Sequence, residues 1–240
     1  MTITSKGVMV FFFLCLMVNS RMLYSFYTHI AEGEHMEQLA ASQIDILGEI
    51  ANISIGNAAT TLSMMVNHKV DISMPNVKIL KRSEVLDDYE KTCILVQIHY
   101  IKGLNGNNVF ILKEPDVLCM TDLMMGGPGN TEGEIGELQL SAISEAMNQM
   151  MGASATSMSV MLNEMVDIST PDVSTIDVDS IKTFEKIFDN VEDLFVKISF
   201  KMDVEGLIDS TMVQFYPIEF AIDMCRMFKE NGQNITASAS

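Results

Sequence analysis

The sequence predicts an α/β fold of the α+β type. It reads as a pseudo-two-fold repeat with one continuous, largely antiparallel sheet, two long helices and two shorter ones. Two observations predict it. Residues 45–77 recur at 141–173, 96 residues further on, with 14 of 33 positions identical. After each copy the same run of strand-like and helix-like segments is found. Strands joined by turns within each half favour an antiparallel sheet with the repeat helices packed on it.

The first element is a long helix. Ser42-Gln-Ile-Asp45 reads as a capping box opening it, and Thr131-Glu-Gly-Glu134 as one ahead of its counterpart. Ile46, Leu47, Ile50, Ile53, Ala58 and Leu62 form the apolar body of the first helix. Leu140, Ile143, Met147, Met151, Ala155 and Met158 form that of the second. Val70 to Ile79 is strand-like and interrupted by Pro75, as suits a strand end or a sheet edge. Cys93 to Ile101 alternates and is matched by Leu194 to Met202, while Asn108 to Leu112 is matched by Thr211 to Phe215. Short helices are expected over Asp116 to Met125 and Ile218 to Lys229. Gly126-Gly-Pro-Gly-Asn130 looks like a phosphate loop but lacks the Lys and Ser/Thr that would come next, and reads as the turn before the second helix.

These elements divide the chain into an apolar extension (residues 1–40), a repeat domain (41–230, with halves of about 41–128 and 129–230) and a polar tail (231–240). Within the extension, Val8 to Val18 is an unbroken run of 11 apolar residues behind Lys6. That is short for a membrane span and about right for a signal-peptide core, yet no small-residue cleavage site comes after it. A misassigned start, with Met36 as the true one, is the favoured reading.

The polar residues kept by the repeat carry the chemistry. Positions 45, 49, 52 and 56 are spaced by 4, 3 and 4, as are 141, 145, 148 and 152. Each set falls within an arc of roughly 60° on one helix face. Asp45, Glu49, Asn52 and Gly56 thus line up on the first helix, and Ser141, Glu145, Asn148 and Gly152 on the second. In each copy, 22 residues separate the asparagine from a proline, Pro75 or Pro171. A polar stripe on a helix is ordinarily its solvated side. Finding it twice in one register argues for a small chemical site built twice. The glycines admit two explanations: close helix packing, or room for a partner's backbone.

Composition excludes other classes. With 15 basic against 32 acidic residues, the net charge of −17 argues against nucleic acid and for partners with basic surfaces. Cys15, Cys93, Cys119 and Cys225 form no Cys-x-x-Cys pair or metal spacing and read as buried thiols of a reducing compartment. No protein metal site, G-x-S-x-G, H-E-x-x-H or P-loop is visible. Most of the 21 methionines, such as Met64, Met65, Met150 and Met151, read as gap-filling core.

The doubled motif, Asp/Ser-x-x-x-Glu-x-x-Asn, 22 residues, then Pro, resembles the signature of the CheC/CheX/FliY family of CheY-phosphate phosphatases. The second half is closest to the FliY branch, through Glu145-Ala-Met-Asn-Gln-Met-Met-Gly152, Asp167-Ile-Ser-Thr-Pro171, Gly206-Leu-Ile-Asp-Ser210 and Gln214-Phe-Tyr-Pro217. The resemblance covers about residues 40 to 230. Members of that branch carry a FliN-like segment C-terminally and a CheY-binding peptide N-terminally; neither is recognisable here.

The resemblance implies hydrolysis of the aspartyl-phosphate of CheY at the flagellar switch. Asn52 and Asn148 would place the attacking water, and Glu49 and Glu145 would pair with a lysine of CheY. Asp45, Gly56, Ser141 and Gly152 would shape the rim, with Pro75 and Pro171 structural. No cofactor of its own is implied, since Mg2+ would sit in the CheY partner. Flagellar switch proteins are further partners implied, and the location is cytoplasmic, peripheral at the flagellar basal body. Two alternatives stay open: a stand-alone CheC phosphatase partnered with the deamidase CheD, and a non-catalytic switch scaffold.

Overall fold

The computed structural model describes residues 39–73, 75–85, 92–176 and 194–238. The apolar extension therefore falls outside the described residues, apart from its last two positions. Residues 40–240 form one compact unit, which holds every element found among the described residues.

The repeat is carried into structure position by position. Helix α1 spans Ala41–Val66, and a second helix of the same 26 residues spans Glu137–Leu162. Nine residues are buried in each, and all nine match at an offset of 96, from Leu47/Ile143 to Val66/Leu162. An amphipathic helix needs one apolar stripe at this spacing, and both copies place it identically.

Four strands and a shorter helix lie between them: β1 (Val70–Ile72), β2 (Asn76–Lys81), β3 (Cys93–Lys102), β4 (Gly106–Lys113) and α2 (Glu114–Met124). The second long helix is thus α3. It leads to β5 (Asp167–Ile168), β6 (Asp172–Ile176), β7 (Leu194–Val204), β8 (Ile208–Pro217) and α4 (Ile218–Ser238). Pro75 and Pro171 sit in the breaks between β1 and β2 and between β5 and β6, where no ladder N–H is needed.

Helix entry differs from expectation. The caps are Ala40 and Gly136, which have no side-chain acceptor, so Ser42 lies inside α1 and Thr131 well ahead of α3. Only the return half of each capping box forms. The Ala40 N–H donates to Gln43 Oε1 at 2.9 Å, and the Gly136 N–H to Gln139 Oε1 at 3.1 Å.

Helix exit is a shared device. Asn67 and Asn163 close the two helices in the left-handed region, at φ 52° and 47°, which asparagine tolerates better than most residues. The chain then turns back so that the Val70 N–H donates to Ser63 Oγ and the Val166 N–H to Ser159 Oγ, both at 2.9 Å. Each serine hydroxyl also donates up its own helix, to the Ala59 or Ala155 carbonyl, at 2.9 and 2.8 Å.

All eight strands join one antiparallel sheet in the order β1-β7-β8-β4-β3-β5, with β2 also on β7 and β6 also on β3. The halves exchange strands: β1 and β2 complete the edge of the second half, and β5 and β6 that of the first. The centre is the β4–β8 pair, with Phe110 opposite Gln214. Strand β3 is buried on both faces from Cys93 to Val96, and alternation starts only at Gln97. One face turns Ile94, Val96, Ile98 and Phe110 toward the helices, where Tyr100 stacks on Phe220 of α4 at 5.1 Å. The other face carries a second cluster of Cys93, Leu95, Val109, Ile111, Phe195, Val213 and Phe215.

The last helix runs past Lys229 because Asn231 donates a side-chain hydrogen bond to the Leu162 carbonyl, an open acceptor at the end of α3. The polar tail therefore begins as helix. Cys93, Cys119 and Cys225 are buried as expected. Burial pushes their thiols up, Cys225 to about 11, which leaves them unreactive near neutral pH.

The corner serines give a direct test. Ser63→Ala and Ser159→Ala each leave a strand N–H without its acceptor. Each should cost about 1–3 kcal/mol in denaturant unfolding, and the two losses should add, since the corners lie at opposite sheet edges. Losses near zero would show that water replaces the hydroxyls.

Candidate functional site

Helices α1 and α3 lie against each other, and Asn57 Nδ2 donates to Ser157 Oγ across the seam at 2.7 Å. The C-terminus of α1 feeds β1 at one sheet edge, and that of α3 feeds β5 at the other. The helices therefore run in opposite directions. At 1.5 Å per residue, Asn52 and Asn148 stand about 20 Å apart along the axes, on either side of the crossing.

The structure places the sequence-predicted stripe at the surface. Asp45, Glu49, Asn52 and Gly56 are exposed on α1; Ser141 and Glu145 are exposed and Asn148 and Gly152 half-buried on α3. The two sets are not brought together, so there are two sites rather than one composite. A Cβ built on Gly56 or Gly152 meets nothing within 4 Å. Close helix packing therefore does not explain either glycine, and both keep the surface beside the asparagine low.

The polar residues shared by the repeats separate into two groups. Ser63/Ser159 and Asn67/Asn163 build the helix-to-strand corner. Ser73 and Ser169 donate their N–H groups to the Lys201 and His99 carbonyls, at 2.9 and 2.8 Å. Glu49, Asn52 and Asn148 do none of this: among the described residues no hydrogen bond or ion pair engages their side chains. Glu145 has one neighbour, with Gln149 Nε2 donating to its Oε1 at 2.5 Å.

Chemically, each site offers a carboxylate and a carboxamide side by side in water. The carboxamide carries one acceptor oxygen and two N–H donors, and can orient a water but not attack a substrate. Among the described residues, no group of three or more His, Cys, Asp or Glu is placed to hold a metal ion, and no helix is long and apolar enough to cross a membrane.

Two features escaped the sequence. Ile53, grouped there with the core, is 38% exposed beside Asn52, and Gln149 occupies the same place beside Asn148. The signal was available: this pair diverges in polarity next to an asparagine that does not. Met64 also reads as core but is 71% exposed, as is its counterpart Val160 at 80%.

The glycine-rich loop after α2 has a structural explanation. Asp122 Oδ2 accepts the N–H groups of Gly129 and Asn130, at 2.8 and 2.9 Å. The anion in this loop is the chain's own carboxylate.

Known proteins match along the same units. A profile of the CheC-like family matches residues 43–79 and 138–175, the two helix–strand segments. The chain is 40% identical over 194 residues to the flagellar motor switch phosphatase FliY of Bacillus subtilis (strain 168), covering 80% of this chain and 51% of that protein. It is 26% identical over 137 residues to the CheY-P phosphatase CheC of the same organism, covering 55% of this chain and 66% of that protein. It thus spans about half to two-thirds of the length of these curated relatives. The crystal structure of Thermotoga maritima FliY superposes with a TM-score of 0.75 at 39% identity, covering 80% of this chain and 98% of that one. The FliM middle domain from H. pylori shares the fold, with a TM-score of 0.61 at 12% identity over 79% of this chain and 99% of that one.

The loop assignment predicts that millimolar phosphate leaves the melting temperature unchanged. Gly127→Ala should lower it, because the new methyl would collide with the Asp122 carboxylate. Stabilisation by phosphate in thermal unfolding would reopen the loop as an anion site.

Proposed function

Since the chain belongs to the CheC-like family, we propose that it is a phosphatase acting on the phosphorylated response regulator CheY at the flagellar switch. One observation carries this reading: a glutamate–asparagine pair is kept twice at the surface of a long helix, and among the described residues neither asparagine side chain is bonded within the fold. Relatives of this chain are named flagellar motor switch phosphatase and CheY-P phosphatase, which supports the same substrate.

The mechanism rests on what these side chains can do. Aspartyl-phosphate hydrolysis needs a water held in line behind the phosphorus and compensation of developing charge. The phosphoryl group and its Mg2+ belong to the partner. Asn52 or Asn148 enters the partner's site, and its carboxamide fixes the water through one acceptor and one donor. Glu49 or Glu145 pairs with a lysine there and sets the depth and angle of entry. Gly56 or Gly152, one turn on, admits the partner's backbone, with Asp45 and Ser141 at the outer rim. Helices suit this task because they hold a side chain more rigidly than a loop does.

Asn52→Ala and Asn148→Ala should each lower the rate of CheY-phosphate hydrolysis, and the double substitution should reduce it about 100-fold with circular dichroism unchanged. Full turnover by the double variant would remove the asparagines from the mechanism.

The glutamates act at docking. Glu49→Gln with Glu145→Gln should weaken partner binding in titration calorimetry, and raised salt should mimic that loss in the unmodified chain. Binding indifferent to both changes would return these residues to the solvated surface.

A further inference from the structure

The two motif copies differ where a docked partner would touch them. On α1, Glu49 is unengaged among the described residues and Asn52 is exposed. The next residue, Ile53, presents an apolar side chain to solvent. On α3, Glu145 is already bonded to Gln149, and Asn148 is half-buried.

At the position that follows the asparagine, the α1 site therefore carries an exposed apolar residue, Ile53, where the α3 site carries an amide, Gln149.

Resting on the function proposed above, we infer that the two sites are unequal. Ile53 is the specificity-determining contact that makes the α1 site the tighter dock for the phosphorylated response regulator. Gln149 is a positioning residue that holds Glu145 away from the partner's lysine. Apolar area removed from water at Ile53 strengthens docking on α1. At α3 the partner's lysine must first displace the Gln149 amide, so that site engages at higher partner concentration. Both sites place water with the same asparagine, so the difference lies in KM and not in kcat.

Single-site chains test this. Asn148→Ala isolates the α1 site and Asn52→Ala the α3 site, with phosphorylated response regulator as substrate. The α1-only chain should show a KM about fivefold lower at similar kcat, the scale expected for partial burial of one aliphatic side chain. Adding I53Q to the α1-only chain should raise its KM to the level of the α3 site. Adding Q149I to the α3-only chain should lower its KM, with kcat preserved in both. Equal KM values for the two single-site chains, or exchanges that move kcat and leave KM unchanged, would overturn the proposal. Turnover that survives removal of both asparagines would instead sink the asparagine mechanism, and this inference with it.

Discussion

Neither half of the domain closes its own sheet. Strands β1 and β2 leave the first half to pair with β7, and β5 and β6 leave the second to pair with β3. The rest of the architecture depends on this exchange. It sends the C-termini of α1 and α3 to opposite sheet edges and makes the helices antiparallel. It also puts their small residues, Ala58, Ala59, Ser154 and Ala155, near the crossing. The two glutamate–asparagine pairs are thereby held on one helical layer, well apart and both facing water. A domain of two side-by-side halves would lack this coupling, because loss of one helix–strand corner would leave the other half's sheet intact.

The repeat keeps polar residues for two different reasons. The corner serines Ser63 and Ser159 satisfy strand N–H groups that would otherwise be lost where a helix turns into a strand, and Asn67 and Asn163 take the left-handed conformation that ends each helix. The fold needs them whatever the protein does. Glu49, Asn52, Gly56 and their counterparts contribute nothing comparable to stability. An exposed helix would gain from alanine in place of Gly56 or Gly152, by roughly 1 kcal/mol. A structure that retains a costly glycine next to an unbonded asparagine, twice, is best understood as built for a partner.

Much of the fold was legible in the sequence, because it depends on local periodicity. The nine-position buried stripe and the 4-3-4 spacing of the motif come from 3.6 residues per turn, and the strand breaks come from proline. What was not legible depends on tertiary contact. Ala40 and Gly136 cap helices without an acceptor of their own, so no capping signal marks them. Helix α4 runs past Lys229 because Asn231 reaches Leu162, 69 residues away in the chain. Met64 reads as apolar core, yet the turn of the helix carries it outward. Local pattern also cannot assign a strand to the other half's sheet, since β2 looks the same whichever partner it meets.

The central claim is that the two helix stripes, and no sheet edge, receive the response regulator. The most direct measurement tracks the side-chain amide signals of Asn52 and Asn148 by NMR during titration with a response regulator carrying a stable phosphoryl mimic. Both signals should shift or broaden, Asn52 at lower partner concentration, while the Asn67 and Asn163 amides stay in place. Unmoved Asn52 and Asn148 signals, with perturbation along β2 or β6 instead, would contradict the claim.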